Sequence, residues 1–381
     1  MPQFRSFMQG GFECSTLRLP DGRQRDLLES TGHARYPLSD YQALAGLGIR
    51  TVRDGLRWHL IEQRQGEYDW GSFLPQLQAA ARAGTQVIWD LCHYGWPPFL
   101  DIWSPRFPES FARFAAAAAA LVRDNYPDTP FYCPVNEVSF WAWGGGDMAC
   151  FAPCTTGRGG ELKRQLVAAS LAAMRAIRDV DPRARFVLAD PIIRVIPARP
   201  EDEAAADAAT QAQYEGWDMM AGMARPDLGG SPDFLDVVGV NFYGHNQWYL
   251  DGPTIRRGEP GYVPLRALLA EVYERYGRAI LITETGAEGD RRAHWLRYVG
   301  EEVEAAMAAG VPIEGICLYP VTDYPGWDDD RHCPTGLLGL PDAAGHRAVD
   351  LPTAAEMANL QRRFHTAHGG QAADSRRLAA P

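Results

Sequence analysis

A chain of 381 residues is long enough for two average domains or for one large α/β barrel, and its formal net charge of −11 argues against nucleic acid or an anionic membrane surface as its main partner. Hydrophobic residues make up 46% and charged residues 22%, an ordinary balance for a globular enzyme, and no apolar stretch approaches the roughly 20 residues that span a bilayer. The seven cysteines, at 14, 92, 133, 150, 154, 317 and 333, are odd in number and scattered. That pattern suits reduced thiols rather than a disulfide framework, and the N-terminus lacks a basic-then-apolar secretory layout, so a cytoplasmic location is expected.

Short apolar runs alternate with helical patterns. Strands are predicted at "RSFMQGGFE" (5–13), "GIRTVRDG" (48–55), "TQVIWDLCH" (85–93) and "PFYCPVNE" (130–137). Four more follow at "ARFVLADP" (184–191), "FLDVVGVNFY" (234–243), "RAILITET" (278–285) and "IEGICLYPV" (313–321). Most are continuous apolar runs, as expected of parallel strands covered on both faces. Between and after them, helical patterns occupy 108–126, 161–180, 204–224, 265–276, 292–310 and 353–368. Strand–helix units in one register predict an α/β fold, a single (β/α)8 TIM barrel over 1–368, followed by a flexible tail over 369–381. A doubly wound sheet would carry a glycine-rich phosphate turn after the first strand, and "MQGGFEC" does not fit one.

Barrel chemistry sits at the C-terminal strand ends. Glu137 follows Asn136 at the end of the fourth predicted strand, and Glu284 ends the seventh. These strands are expected to face each other across the barrel, so that both carboxylates converge on one bound group. Desolvating a carboxylate is costly, so one at the end of a buried strand suggests a task. A pair flanking one bond is what glycoside hydrolysis uses: one protonates the leaving oxygen, and the other stabilises or attacks the sugar carbon.

With these residues in place, the chain resembles the retaining β-glycosidases of the large barrel clan, most closely family 1 of the glycoside hydrolases (β-glucosidase-like), over roughly residues 4–365. The resemblance implies Glu137, in "PVNEV", as acid/base and Glu284, in "ITETG", as nucleophile. It implies Arg53, in "RDGLRW", beside the nucleophile, with Trp58 in the wall, and His93, in "CHYGWPP", on sugar hydroxyls. Tyr243, in "GVNFYG", takes the place of the tyrosine that hydrogen-bonds the nucleophile, and "YPVTDYPGW" ends at Trp327. Asn136 would donate to the sugar 2-hydroxyl. Two positions depart from the family. Gly326 replaces a glutamate, with Asp328, Asp329 and Asp330 following it, and Leu17 stands where a glutamine is expected, with Glu13 the nearest polar substitute. Both positions normally grip outer hydroxyls, so the usual glucose/galactose preference does not carry over.

Burial against Trp141 or Trp143, with the charge on Glu284, is expected to raise the pKa of Glu137, while Arg53 and Tyr243 keep that of Glu284 low. Of the 11 tryptophans, Trp58, Trp89 and Trp295 read as core. Trp96, Trp103, Trp141, Trp143, Trp248 and Trp327 follow strand ends, where about half of them are expected to stack on sugar faces. "CFAPC" lacks a second Cys/His pair, and "DDDRHC" reads as a solvated loop, so no metal and no cofactor is expected. The expected partner is a carbohydrate substrate, with no nucleic acid and no membrane. A homo-oligomer, a transglycosylase using the same intermediate and a catalytically silent sugar-binding barrel stay open.

Overall fold

Eight parallel strands close into a barrel: β1 (Met8–Gly11), β2 (Thr51–Gly55), β3 (Gln86–Cys92), β4 (Phe131–Val135), β5 (Arg185–Pro191), β6 (Val237–Asn241), β7 (Ile280–Thr285) and β8 (Ile313–Leu318). Each predicted strand is present, trimmed at its ends, and each pairs with its neighbours in sequence, β8 closing on β1. This computed structural model describes residues 3–377, with side chains to residue 365, so the expected tail (369–381) lies outside the side chains described.

Around the barrel run α1 (Pro37–Gly46), α2 (Leu74–Ala83), α3 (Arg106–Asn125), α4 (Gly159–Val180), α5 (Glu203–Gln211), α6 (Leu265–Tyr276), α7 (Arg292–Ala308) and α8 (Leu351–Arg377). Apolar spacing explains the faces they bury. In α3, Phe107, Phe111, Phe114, Ala118 and Val122 recur every three or four residues and are buried, the first three packing on Trp58. The pattern read as one helix over 204–224 is broken by a tight turn at Ala212–Tyr214. Gln213 causes the break: its side-chain oxygen accepts from Ile193 N at 2.8 Å and its amide donates to Thr210 O at 2.7 Å, tying the chain to the end of β5.

Inside the barrel the chemistry changes with height. Ile88, Phe131, Val187, Val237 and Leu281 form an apolar layer that Phe4 plugs. Two residues further along each strand, on the same face, stand Asp90, Cys133, Ala189, Gly239 and Thr283, with the Arg53 guanidinium among them. Asp54, next to Arg53, points the other way. It accepts from His33 Nε2 at 2.9 Å, while His33 Nδ1 donates to Asp40 of α1 at 2.7 Å. His33 is fully buried and stacks on Phe12 at 3.5 Å, and Arg347 holds both oxygens of Asp40.

One irregularity positions a side chain of the cleft. Val240 pairs with Ile282 but Asn241 pairs with Glu284, and on the other side Ile316 pairs with Ile282 but Leu318 with Thr285. Both neighbours see one extra residue in β7. Strict alternation would face Leu281 and Thr283 inward and Glu284 outward toward the helices; the bulge turns Glu284 to the barrel mouth. Thr285 then faces out, receiving the Trp295 indole N–H at 2.8 Å.

Candidate active site

Glu137 lies two residues beyond β4 in a left-handed conformation (φ +46°), and Tyr94, two residues beyond β3, shares it (φ +71°). Their side chains meet: the Tyr94 hydroxyl donates to Glu137 Oε2 at 2.5 Å. Left-handed backbone costs about 1 kcal/mol or more for residues other than glycine, and it persists where surrounding bonds over-determine it. Here Glu137 N donates to Ala189 O at 3.0 Å, its carbonyl accepts from Trp141 N at 2.8 Å, and Asn241 Nδ2 donates to Oε1 at 2.8 Å. Glu284 has donors of a different kind. Arg53 Nη1 reaches Oε1 at 2.7 Å and the Tyr243 hydroxyl reaches Oε2 at 2.9 Å.

The end of β6 and the residues just beyond it therefore touch both acids, Asn241 holding Glu137 and Tyr243 holding Glu284. Two residues span about 7 Å of extended chain, so the two carboxyls belong to one site. They line a single cleft of about 1760 Å³ together with Glu13, His93, Tyr319 and Trp327. β4 and β7 are three places apart around the barrel, not face to face as expected from the sequence.

Arg53 organises the floor beneath them. It is buried, and its Nε and Nη2 grip both oxygens of Asp90 at 2.8 and 2.7 Å while Nη2 also donates to Asn136 Oδ1 at 2.5 Å. Burial pushes the Asp90 carboxyl up, but Arg53 and then His93 outweigh it and hold Asp90 below the ordinary carboxylate range. An ionised Asp90 accepts a hydrogen bond from His93 Nδ1–H at 3.0 Å, leaving Nε2 to accept from Asn136 Nδ2 at 2.8 Å. Cys14 Sγ, Asp90 and His93 converge closely enough to hold a metal ion, but Arg53 and His93 already occupy the Asp90 oxygens with positive charge and a donated proton.

Burial raises both acids. Glu137 is pushed up by burial against the opposing pull of Tyr94 and Asn241. Glu284 is pushed up to about 7 by burial and then by the charge on Glu137, Arg53 lowering it less than these raise it. The expectation that Arg53 and Tyr243 would keep Glu284 low is corrected by the depth of the site. Burial and mutual repulsion disfavour two charges here, so the site favours keeping one of the two carboxyls protonated.

No protein-family profile matches this sequence, and no curated protein does. Solved structures do. A β-glucosidase from Thermotoga maritima in complex with glucoimidazole superposes with a TM-score of 0.78 at 17% identity, covering 94% of this chain and 98% of that one. A family 1 β-glucosidase from the same organism gives 0.77 at 17% identity over 94% and 98% of the two chains. This chain has their fold. A hyperthermophilic β-glucosidase mutant, described as forming a dodecameric structure in the crystal, gives 0.75 at 16% over 93% and 99%.

The remaining sequence-predicted residues divide into wall and support. His93, Glu13, Tyr243 and Trp327 stand on the cleft wall with the two acids. Arg53 and Asn136 are buried behind it, and both amide hydrogens of Asn136 are engaged, by His93 and by the Tyr94 hydroxyl at 3.0 Å. Trp141 does not face the cleft: it is fully buried, its indole N–H donating to Ala152 O at 2.9 Å. One turn of helix after Glu137 sends it into the core, and Trp143, half exposed, lines the cleft in its place. Trp248 lines the cleft as well, and so does Trp295, read from sequence as core. Trp96 packs on Trp141, and Trp103 lies beneath the Arg158 guanidinium at 3.5 Å.

At the two positions read as departures from sequence, Leu17 is fully buried, and nearby Glu13 lines the cleft, its Oε1 accepting from Ser15 N at 3.1 Å and the Tyr319 hydroxyl at 3.4 Å. A Cβ on Gly326 would lie 2.4 Å from Asp329 Oδ1, so an acidic oxygen fills that space, but Asp329 and Asp330 pair with Arg331 and Arg25. Sequence reasoning missed Asp90, Tyr94, Asn241 and Tyr319. An aspartate inside the apolar run "QVIWDLC" was a readable signal; the others needed contacts across the barrel.

Proposed function

We propose that this protein is a retaining β-glycoside hydrolase, β-glucosidase-like, acting on small β-linked glycosides. The observation that carries the reading is the unequal support of two buried carboxyls on one cleft. A full positive charge touches Glu284, whereas only neutral donors touch Glu137. That geometry favours the charge on Glu284 and the proton on Glu137.

In the first step a Glu284 oxygen attacks the anomeric carbon as its bond to the leaving oxygen breaks, and the Glu137 proton passes to that oxygen. The glycosyl ester removes the charge on Glu284, and the pKa of Glu137 falls. Glu137 then takes a proton from water as the water oxygen displaces Glu284 from the same carbon. Inverting displacement twice returns the β-anomer. Glu13, His93, Trp327 and Tyr243 contact the sugar; Arg53, Asp90 and Asn136 position the groups that do.

The test is a screen of nitrophenyl β-glycosides with NMR of the first anomer released. Turnover with initial β product, abolished in Glu284→Ala and partly restored by azide as the α-glycosyl azide, supports the reading. Initial α product, or an unchanged rate in Glu284→Ala, overturns it.

A further inference from the structure

The cleft continues well past the two acids, and its charge is uneven. The wall made by the chain after β6 and the start of α7 presents Arg256, Arg257 and Arg291, all exposed. None of the three guanidiniums has an acidic partner among the described residues. Arg257 lies 4.5 Å over the ring of Tyr298, which fixes it against α7. Arg291, at the start of α7, sits seven residues before Tyr298, a spacing of two turns that puts both on one helix face. Thr254 bridges to Trp248, drawing the 254–257 segment along the cleft beside that indole.

Several carboxylates around this wall already have partners of their own. Glu215 pairs with Lys163 at 2.7 Å, Glu288 pairs with Arg331, and Asp147 accepts from Gly159 N at 2.7 Å. Glu259 accepts from the backbone N of Arg256 at 2.8 Å, and Glu302 pairs with Arg266 at 2.6 Å. In a chain of net charge −11, three uncompensated arginines on one wall stand out from the surrounding field. Guanidinium forks bind oxyanions, and they do so beside aromatic faces such as Trp248 and Tyr298.

We propose that this wall is a subsite for an oxyanion, carried by the leaving-group half of the glycoside. The inference rests on the hydrolase reading above and adds to it the class of substrate. The sugar half lies toward Glu13 and His93, on loops after β1 and β3, and the arginine wall belongs to β6 and β7 on the other side of the mouth. A group extending from the bond cleaved, away from Glu13 and His93, meets that wall.

The experiment compares aryl β-glycosides whose phenol carries a carboxylate, a sulfonate or a neutral carboxamide at one ring position, on the sugar that the screen finds best. The expected result is a kcat/KM higher by about tenfold for an anionic member over the amide at low salt, as one charge-assisted hydrogen bond gives. That ratio falls toward one in Arg257→Gln and Arg291→Gln, and in 0.5 M salt. Hydrolysis of the amide with no preference for either anion overturns this inference and leaves the hydrolase reading standing. If no glycoside is cleaved, calorimetric titration of the free phenols decides: tighter, arginine-dependent binding of the acids supports the subsite, and equal or absent binding overturns it.

Discussion

Replacing His33 with phenylalanine isolates one buried charge. The ring would keep its stack on Phe12, but Asp54 would lose its cation and retain only neutral donors, namely Tyr41, Gln76 and Gly55 N. Burial works against the His33 imidazolium, yet Asp54 and Asp40 outweigh it and raise its pKa to about 9 from the ordinary 6.5. At about 1.4 kcal/mol per unit, protonated His33 contributes about 3 kcal/mol of stability. The group binds its proton more tightly when folded. Its contribution is therefore complete below pH 6.5, declines above it, and is lost as pH passes through about 9. His33→Phe is expected to lose about 3–5 kcal/mol at pH 6, the cost of stranding one member of a buried ion pair. Urea unfolding followed by tryptophan fluorescence measures it. The gap to wild type should narrow by about 3 kcal/mol between pH 6 and pH 10, and Asp54→Asn in the same chain should recover part of the loss. A gap that holds constant across that range refutes the reasoning, because His33 would then be neutral in the fold.

Asp190, whose buried carboxyl is pushed up to about 7, adds negative charge that raises Glu137. Asp190→Asn should therefore move the alkaline limb of kcat/KM to lower pH, by about half a unit, read from a pH–rate profile. Tyr243→Phe removes one donor to Glu284 and should lower kcat/KM by about tenfold to a hundredfold with unchanged circular dichroism. Trp141→Ala should cost about 3–5 kcal/mol in denaturant unfolding, while Trp143→Ala should leave stability near wild type and raise KM. Gly95→Ala would place a Cβ 2.0 Å from Thr16 Oγ1 and 2.1 Å from its carbonyl. The displaced loops carry Glu13 and His93, so turnover is expected to fall along with the unfolding midpoint.

Much of the barrel was legible because its strands are short, doubly covered and largely apolar, with acids at the ends of two of them. Glu137 and Glu284 stood out for that reason. Asp90 was visible as a lone acid inside an apolar run, but its meaning comes only from Arg53 on the neighbouring strand. Asn241 looked like the end of a strand, and its contact with Glu137 spans 104 residues. Trp141 and Trp143 were indistinguishable by composition. Two residues, little more than half a turn of helix, separate a fully buried indole from a half-exposed one, and that phase depends on where the helix begins after the left-handed Glu137. The break at Gln213 was missed because the hydrophobic pattern runs on through it, while the bonds that bend the chain come from β5 and its loop.

The extra residue in β7 means that Glu284 is presented by arithmetic as much as by identity. Shorten that strand by one, and the same glutamate would be carried round to the helical shell with its chemistry intact and nothing to act on. Anyone transplanting this carboxylate to another barrel must carry the insertion with it, since the letter alone brings no acid to the mouth.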